Sequence, residues 1–229
     1  MRVSVIIPAL NEEETIADVV RGVPRATANE VIVVDNGSED STSARASEAG
    51  AHVIPESRRG YGRACAAGVQ ALSTDCEIVV FLDGDGSDCP ELMEHLVEPI
   101  SEGKYDFVIG SRTRGRRERG SLNLQQILAG RAAGLFLLAL YGVRYTDMCP
   151  FRAIRREALE SLGMREQTYG WNLEMQMRSA RAGLRILEVS VNHRRRAGGQ
   201  SKVSGTLRGT FLAAGRILTT LIRVALERS

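Results

Sequence analysis

Asp83 and Asp85 stand one residue apart at the end of a short apolar run, Ile78-Val79-Val80-Phe81-Leu82, with glycines at 84 and 86. Two carboxylates at this spacing suit a hard divalent cation, and a cation held there can in turn hold a diphosphate. Arg112 follows a second apolar run, Phe107-Val108-Ile109, so the same chain offers a cation at a strand end. A basic, glycine-containing stretch, His193–Ser204, carries Arg196 and Lys202 and could close over a diphosphate. Arg194 and Arg195 read as solvated or lipid-facing. The three histidines, His52, His95 and His193, share no metal spacing. His193 offers a third metal ligand beside the basic stretch, and a packing or surface histidine is the simpler reading.

These residues need elements to position them. The first half alternates between strand-like and helix-like segments. Strands are expected at Val3–Ile7, Glu30–Val34, Ala51–Ile54, Glu77–Leu82 and Tyr105–Ile109. Helices are expected at Asn11–Val20, with Asn11 as N-cap, after a cap at Ser38, over Tyr61–Leu72, and from Cys89-Pro90-Glu91 onward. Strands separated by helices imply a parallel sheet covered on both faces, with its ligands at the carboxyl ends of the strands. The second half reads as an Arg/Gly loop (Ser111–Gly120), a Leu-rich helix (Asn123–Tyr141), a short strand (Phe151–Ile154), a helix (Trp171–Ala182), a strand (Leu184–Val191) and a final helix (Thr206–Arg228). The domain expectation is a catalytic unit over 1–204 and a C-terminal amphipathic helix over 205–229.

The chain has 229 residues, 43% hydrophobic and 25% charged, enough for one large α/β domain. Its net charge of +2 hides an asymmetry: residues 1–109 carry 8 basic and 20 acidic side chains, and residues 110–229 carry 22 basic and 8 acidic. A basic second half suits an anionic partner, and the two halves can also neutralise each other across one interface. Four cysteines without Cys-x-x-Cys spacing read as reduced structural thiols. No signal peptide and no membrane span is expected.

Neither common nucleotide fold fits. The first strand is followed by Pro8-Ala9-Leu10-Asn11-Glu12, with no glycine-rich turn, and no Gly-x-x-x-x-Gly-Lys-Ser/Thr occurs. Five other segments converge instead: Val5-Ile6-Ile7-Pro8-Ala9-Leu10-Asn11-Glu12-Glu13, Val33-Val34-Asp35-Asn36-Gly37-Ser38, Asp83-Gly84-Asp85, Val108-Ile109-Gly110-Ser111-Arg112 and Gly199-Gln200-Ser201-Lys202. In this order the chain resembles family-2 glycosyltransferases, and the last segment resembles the branch that makes dolichyl- or polyprenyl-phosphate mannose or glucose.

The resemblance implies the A-type glycosyltransferase (nucleotide-diphospho-sugar transferase) fold, a mostly parallel central sheet flanked by helices. It implies a GDP or UDP sugar as donor, Mg²⁺ or Mn²⁺, and inversion at the anomeric carbon. By position, Pro8, Ala9, Asn11, Glu12, Asp35 and Asp83 would bind the donor nucleotide. Asp35 has a second use open, capping the turn at Asn36-Gly37. Asp83 and Asp85 would hold the metal. Family members often carry Gln two positions after the second Asp; here Ser87 stands there with Asp88 beside it, and either could complete the site. Arg63 follows Gly60-Tyr61-Gly62, where it could touch the donor.

The same resemblance places a Glu-Asp pair, which supplies the base in many relatives, on Trp171 and Asn172. Neither can act as a base near neutral pH. A phosphate monoester needs no base, since its second pKa is near 6, so the expected acceptor is a polyprenyl or dolichyl phosphate. Glu174, one turn on, is the residue that could reverse this. Arg112, Arg131, Arg196 and Lys202 are the candidates for the acceptor and diphosphate. Arg131 would replace the basic residue that relatives carry near Gln125-Gln126. Catalysis would rest on Asp85, Arg112 and Arg131. Asp147 precedes Cys149-Pro150-Phe151-Arg152, where relatives usually show Gly-Phe.

Thr206–Arg228 spaces Leu207, Phe211, Ala214, Leu218, Leu221 and Ala225 at helical intervals, with Arg208, Arg216 and Arg223 opposite. Such a helix suits a membrane surface, the face of the domain, or a homodimer contact. With the Leu-rich helix around Ile127–Leu140, it gives an expected location at the inner face of the cell membrane, peripheral and cytoplasmic. A glycosyltransferase with a saccharide or other hydroxyl acceptor is the alternative. A nucleotidyltransferase lacks its glycine-rich basic loop here, and nucleic acid is disfavoured by 5% aromatics without a stacking cluster.

Overall fold

The protein is described from a computed structural model, which covers residues 1–198, 215 and 219–227. Seven strands form one sheet: β1 (Val3–Ala9), β2 (Glu30–Asp35), β3 (His52–Pro55), β4 (Ile78–Phe81), β5 (Phe107–Ser111), β6 (Arg152–Arg155) and β7 (Ile186–Ser190), in the order β3-β2-β1-β4-β6-β5-β7. The helices are α1 (Ile16–Gly22), α2 (Thr42–Glu48), α3 (Tyr61–Gln70), α4 (Glu94–Ser101), α5 (Leu124–Tyr141), α6 (Arg156–Ser161) and α7 (Trp171–Arg181).

The central strands are runs of Val and Ile because helices cover both faces and leave no side for polar residues. Ile6, Ile7, Ile32, Val33, Val34, Val79 and Val80 are wholly buried. Each such side chain contributes about 2 kcal/mol of apolar burial. Gly68 of α3 lets the helix sit directly on the sheet, where an added Cβ would come within 2.5 Å of Ile6 Cγ2.

The sheet is not wholly parallel. β6 runs antiparallel between β4 and β5. Its reversal has a simple cause: α5 and the turn after it leave the chain at the carboxyl edge of the sheet, so the next strand must run back. The register puts Phe81 and Ile109 opposite Arg152, and Ala9 opposite Asp35. The ends of β1, β2, β4 and β5 and the start of β6 therefore share one edge.

Several helix starts differ from expectation. Asn11 is not an N-cap; it takes a left-handed φ of 52°, and α1 begins five residues later, after a turn over 12–15. Ser38 likewise caps nothing, since α2 begins at Thr42. In both places the side chains are spent stitching one loop to the next. Pro90 opens a short 3-10 turn, Pro90–Leu92, before α4. The short helix α6 was not expected. Asn123 does cap α5, exchanging bonds with Gln126 in a capping box. All four cysteines are buried free thiols.

The described end of the C-terminal helix, 219–226, docks on the domain. Val224 is fully buried. Arg223 faces inward, 3.1 Å from Glu174 and 3.4 Å from Glu166, which corrects its placement on an outward arginine stripe. Of the expected apolar stripe, Leu221 and Ala225 fall among the described residues. Leu207, Phe211, Ala214 and Leu218, with Arg208 and Arg216, lie outside them.

Candidate active site

Three loops after β1, β2 and β4 build one side of a cleft. Asn11 N donates to Ser38 Oγ (3.0 Å), and Asn11 Oδ1 accepts from Glu39 N (2.8 Å). Glu12 N donates to Thr42 Oγ1 (2.8 Å). Asp35 accepts from Ser38 N (2.8 Å) and from the Ser43 hydroxyl. Burial works against its charge, but those bonds outweigh it and hold Asp35 below the usual carboxylate range. Asp35 is thus a turn cap as well as a strand-end carboxylate. Pro8 and Ala9 end β1 beside it, and Ala9 is buried. Pro8, Ala9, Asn11, Glu12 and Asp35 thus lie together at one edge of the sheet.

The acidic turn follows β4. Thr15 Oγ1 donates to Gly84 O at 2.8 Å and ties the turn to the first loop. Asp83 accepts from the Tyr61 hydroxyl at 3.1 Å; burial, then Asp88 and Asp85, push its carboxyl well up. Asp85 Oδ1 accepts from Ser87 N (2.9 Å) and Ser87 Oγ (2.5 Å). Ser87 therefore orients Asp85. Asp88 accepts from Asp83 N at 3.0 Å through Oδ2, and burial raises its pKa to about 7, with Asp85 adding to the effect.

Asp88 Oδ1 and His193 Nδ1 are buried without hydrogen-bond partners and lie 3.9 Å apart. Burial lowers the His193 pKa to about 4, helped by Arg112, so its imidazole is neutral. These two unpartnered atoms, one carboxylate oxygen and one imidazole nitrogen, suit a divalent cation near Asp85. Among the described residues no group of three or more His, Cys, Asp or Glu side chains is arranged to hold a metal ion by itself. A Mg²⁺-type ion is commonly bound by one or two carboxylates together with substrate phosphates.

The opposite wall is basic. Arg112 leaves the end of β5 and is gripped by Asp147: Nε to Oδ2 and Nη2 to Oδ1, each at 2.8 Å. Burial disfavours the Asp147 carboxylate, yet Arg112 holds it below its ordinary value. Loop residues 116–119 run against 193–195 through bonds from His193 N to Arg116 O and from Glu118 N to His193 O. Arg196 crosses to the acidic side and pairs with Glu12 and Asp85, each at 3.0 Å. A cavity of about 290 Å³ lies beside residues 192–194, lined by Cys89, Glu91, Arg116, Arg117, Glu118, Asn192, His193 and Arg194. Arg194 pairs with Glu91.

Other expected residues are not joined to this cluster. Arg131 is exposed on α5 and makes no ion pair among the described residues. Lys202 and the Gly199–Lys202 segment lie outside the described residues. Arg63 bonds Gln167 instead of facing the cleft centre. Glu174 is fully buried. It accepts from Arg165 N (2.9 Å), Glu166 N (2.6 Å) and Arg178 Nε (3.0 Å), and lies against Arg223. Trp171 packs edge-on against Phe81.

Some participants carried no readable signal. Asp147 is 35 residues from Arg112 in sequence, and Tyr61 reaches Asp83 across 22. Arg152 lies wholly buried and bonds the carbonyls of Cys149, Pro150 and Asn172, joining the turn before β6 to the start of α7.

Comparison with known proteins extends this geometry. Residues 4–163 match the model described as Glycosyl transferase family 2. The chain is 38% identical over 215 residues to an uncharacterized glycosyltransferase of Mycobacterium tuberculosis, covering 92% of this chain and 94% of that protein. It is 33% identical over 227 residues to a dolichyl-phosphate hexose transferase of Haloferax volcanii, covering 98% and 94%. Among solved structures it resembles glucosyl-3-phosphoglycerate synthase from Mycobacterium tuberculosis in complex with Mn²⁺, UDP and glucosyl-3-phosphoglycerate. The TM-score is 0.78 at 27% identity, covering 100% of this chain and 81% of that one.

Proposed function

The chain belongs to glycosyl transferase family 2 and has its A-type fold, and on that premise we propose that it moves a hexose from GDP-mannose or UDP-glucose to a polyprenyl or dolichyl phosphate. The fate of Glu174 carries this reading. It is sealed from solvent and committed to Arg178, Arg223 and two backbone amides, so it is a structural carboxylate and no base for an acceptor hydroxyl. Cations, by contrast, line the acceptor side. That combination suits a nucleophile that arrives ionised. The likeness to a dolichyl-phosphate hexose transferase supports the same acceptor class.

In the proposed reaction a phosphate oxygen of the acceptor attacks the anomeric carbon. A carbon–oxygen bond forms as the bond from that carbon to the diphosphate breaks, and the nucleoside diphosphate leaves with the electron pair. Asp35, Asn11 and Glu12 hold the nucleoside side. Asp85, with Asp83, Asp88 and His193 beside it, would hold Mg²⁺ or Mn²⁺, which when bound neutralises charge on the departing diphosphate. Arg112, braced by Asp147, orients the acceptor phosphate.

We place the enzyme at the inner membrane face, as a catalytic unit over 1–204 with a helical appendage over 205–229. α5 supports this location. Its 18 residues are long and apolar enough, by length and composition, to cross a membrane, which qualifies the expectation that no such segment exists. Its Gly130, Ala133, Gly134 and Leu137 face inward, whereas Leu128, Leu135, Phe136, Leu138 and Leu140 are exposed. A helix docked along one stripe and apolar along the rest suits the surface of a bilayer.

The test is direct. Purified protein, Mg²⁺ or Mn²⁺, polyprenyl phosphate in vesicles and either sugar nucleotide should yield a glycolipid. Failure with both donors removes the reading. A second reading, transfer to a small phosphorylated hydroxyl acceptor, is favoured by the likeness to glucosyl-3-phosphoglycerate synthase. Product from UDP-glucose and 3-phosphoglycerate in the absence of lipid would put it first.

A further inference from the structure

Arg196 spans the mouth of the cleft and bonds carboxylates from two different loops. Its Nη2 lies 3.0 Å from Asp85 Oδ2. Its Nη1 lies 3.0 Å from Glu12 Oε1 and 3.2 Å from Glu12 Oε2. Backbone bonds lay the same strap on the acidic turn: Arg194 N donates to Ser87 O at 2.9 Å, and Ala197 N to Asp85 O at 3.3 Å. Gly198 passes so near Glu14 that an added Cβ would collide with its Oε2.

Asp85 has two carboxylate oxygens. Oδ1 is taken by the amide and hydroxyl of Ser87, which leaves Oδ2 as the oxygen a divalent cation needs. Arg196 stands on that oxygen. Asp85 and Glu12 are both largely buried, at 9% and 6% exposure, so charges here are weakly screened and two cations at one oxygen repel strongly.

We propose that Arg196 is a resident counter-ion of Asp85 that competes with the divalent cation, so that the basic strap must release Asp85 before the cation binds. This inference rests on the reading of Asp85 as a metal ligand. The guanidinium so released is left beside Glu12 at the cleft mouth, where an arriving diphosphate is a better partner for its planar fork than water. Metal and nucleoside diphosphate then strengthen each other's binding, because the diphosphate gives Arg196 a partner to replace the carboxylate it loses. A simple structural pair predicts no such coupling.

Calorimetric titration of MnCl₂ into the full chain, with and without GDP or UDP, tests this. Without nucleotide, Arg196→Gln should bind Mn²⁺ about tenfold more tightly than the parent protein, the scale of one lost charged pair. The same variant should show a smaller enhancement of Mn²⁺ binding by nucleoside diphosphate. Asp85→Asn should weaken Mn²⁺ binding and cancel the gain in the double variant. Arg196→Lys, whose single ammonium cannot bridge Asp85 and Glu12 as the fork does, should show part of the gain and guards against misfolding of the Gln variant. Unchanged or weaker Mn²⁺ binding in both Arg196 variants, with Asp85→Asn still weakening it, overturns the counter-ion role and leaves the metal site standing. Mn²⁺ binding indifferent to Asp85→Asn overturns both.

Discussion

Asp147 holds Arg112 through three bonds: to its backbone N (2.9 Å), its Nε (2.8 Å) and its Nη2 (2.8 Å). Both side chains are largely buried, so the pair locks the guanidinium into one orientation, and only Nη1 carries no hydrogen bond among the described residues. Arg112 is therefore an aimed donor and not a free surface cation. Asp147→Asn should loosen that aim and raise the KM for a phosphate acceptor about tenfold, the scale of one charge-assisted bond. Donor hydrolysis should hardly change. Steady-state kinetics with each substrate varied separates the two, and an unaltered acceptor KM refutes the role.

Asp85→Ala removes the carboxylate that Ser87 orients. Transfer should fall by a factor of about 100 or more, as when an electrostatic group at a leaving charge is removed. The stabilisation of the fold by GDP or UDP with Mn²⁺ should also vanish from thermal melts, since a ligand that no longer binds no longer shifts the transition. Retained ligand stabilisation would place the donor elsewhere.

Glu174→Gln separates a base from a structural anchor. The substitution removes the buried charge that Arg178 and Arg223 share, leaving them Glu227 and Glu166 as their remaining carboxylate partners. A loss of about 3 kcal/mol of stability is expected, with turnover at low temperature kept within a few fold. A collapse of kcat without loss of stability would restore Glu174 as a catalytic base.

Gly134 lets α5 touch the backbone before Asp147. An added Cβ there would collide with Tyr145 O. Gly134→Ala should cost about 1–3 kcal/mol through forced separation of the helix from that turn. The denaturant midpoint measures it, and a neutral result would mean that α5 and that turn are not in contact.

Asp106 provides a pH test remote from the cleft. Its bonds to Arg185 hold its carboxyl below the ordinary value despite partial burial, with Arg155 adding to the effect. The folded pKa is depressed, so the stabilisation is present above the unfolded value of about 3.9 and is lost as pH falls through the folded one. The Tm gap between the parent and Asp106→Asn should be largest at neutral pH and shrink below about pH 4. A gap independent of pH contradicts this.

Much of the acidic half of the cleft was legible in the chain itself. Apolar runs ending in Asp35 and in Asp83-Gly84-Asp85 declare strands with carboxylates at their ends, and the alternation with helices declares a layered sheet. The starts of α1 and α2 were not legible, because Asn11 and Ser38 look like caps. Local sequence shows that such side chains will bond a nearby amide; it does not show that the amide belongs to the next loop.

The basic half was legible as charge but not as arrangement. The count of arginines in the second half was plain, yet their uses differ. Arg112 is neutralised by Asp147, Arg196 by Asp85 and Glu12, Arg223 by Glu174 and Glu166, and Arg131 by no described residue. Each pairing joins positions from 35 to 184 residues apart.

By itself the sequence determined where strands end, which carboxylates sit at those ends, and to which family the order of motifs belongs. These follow from side-chain periodicity and turn chemistry, which act over a few residues. Tertiary structure alone decided that β6 runs backwards, that Glu174 is sealed, and that the cation at Asp85 is Arg196. A charge finds its partner through the folded arrangement of whole elements, and that arrangement is set by burial of the entire core, not by the residues beside it.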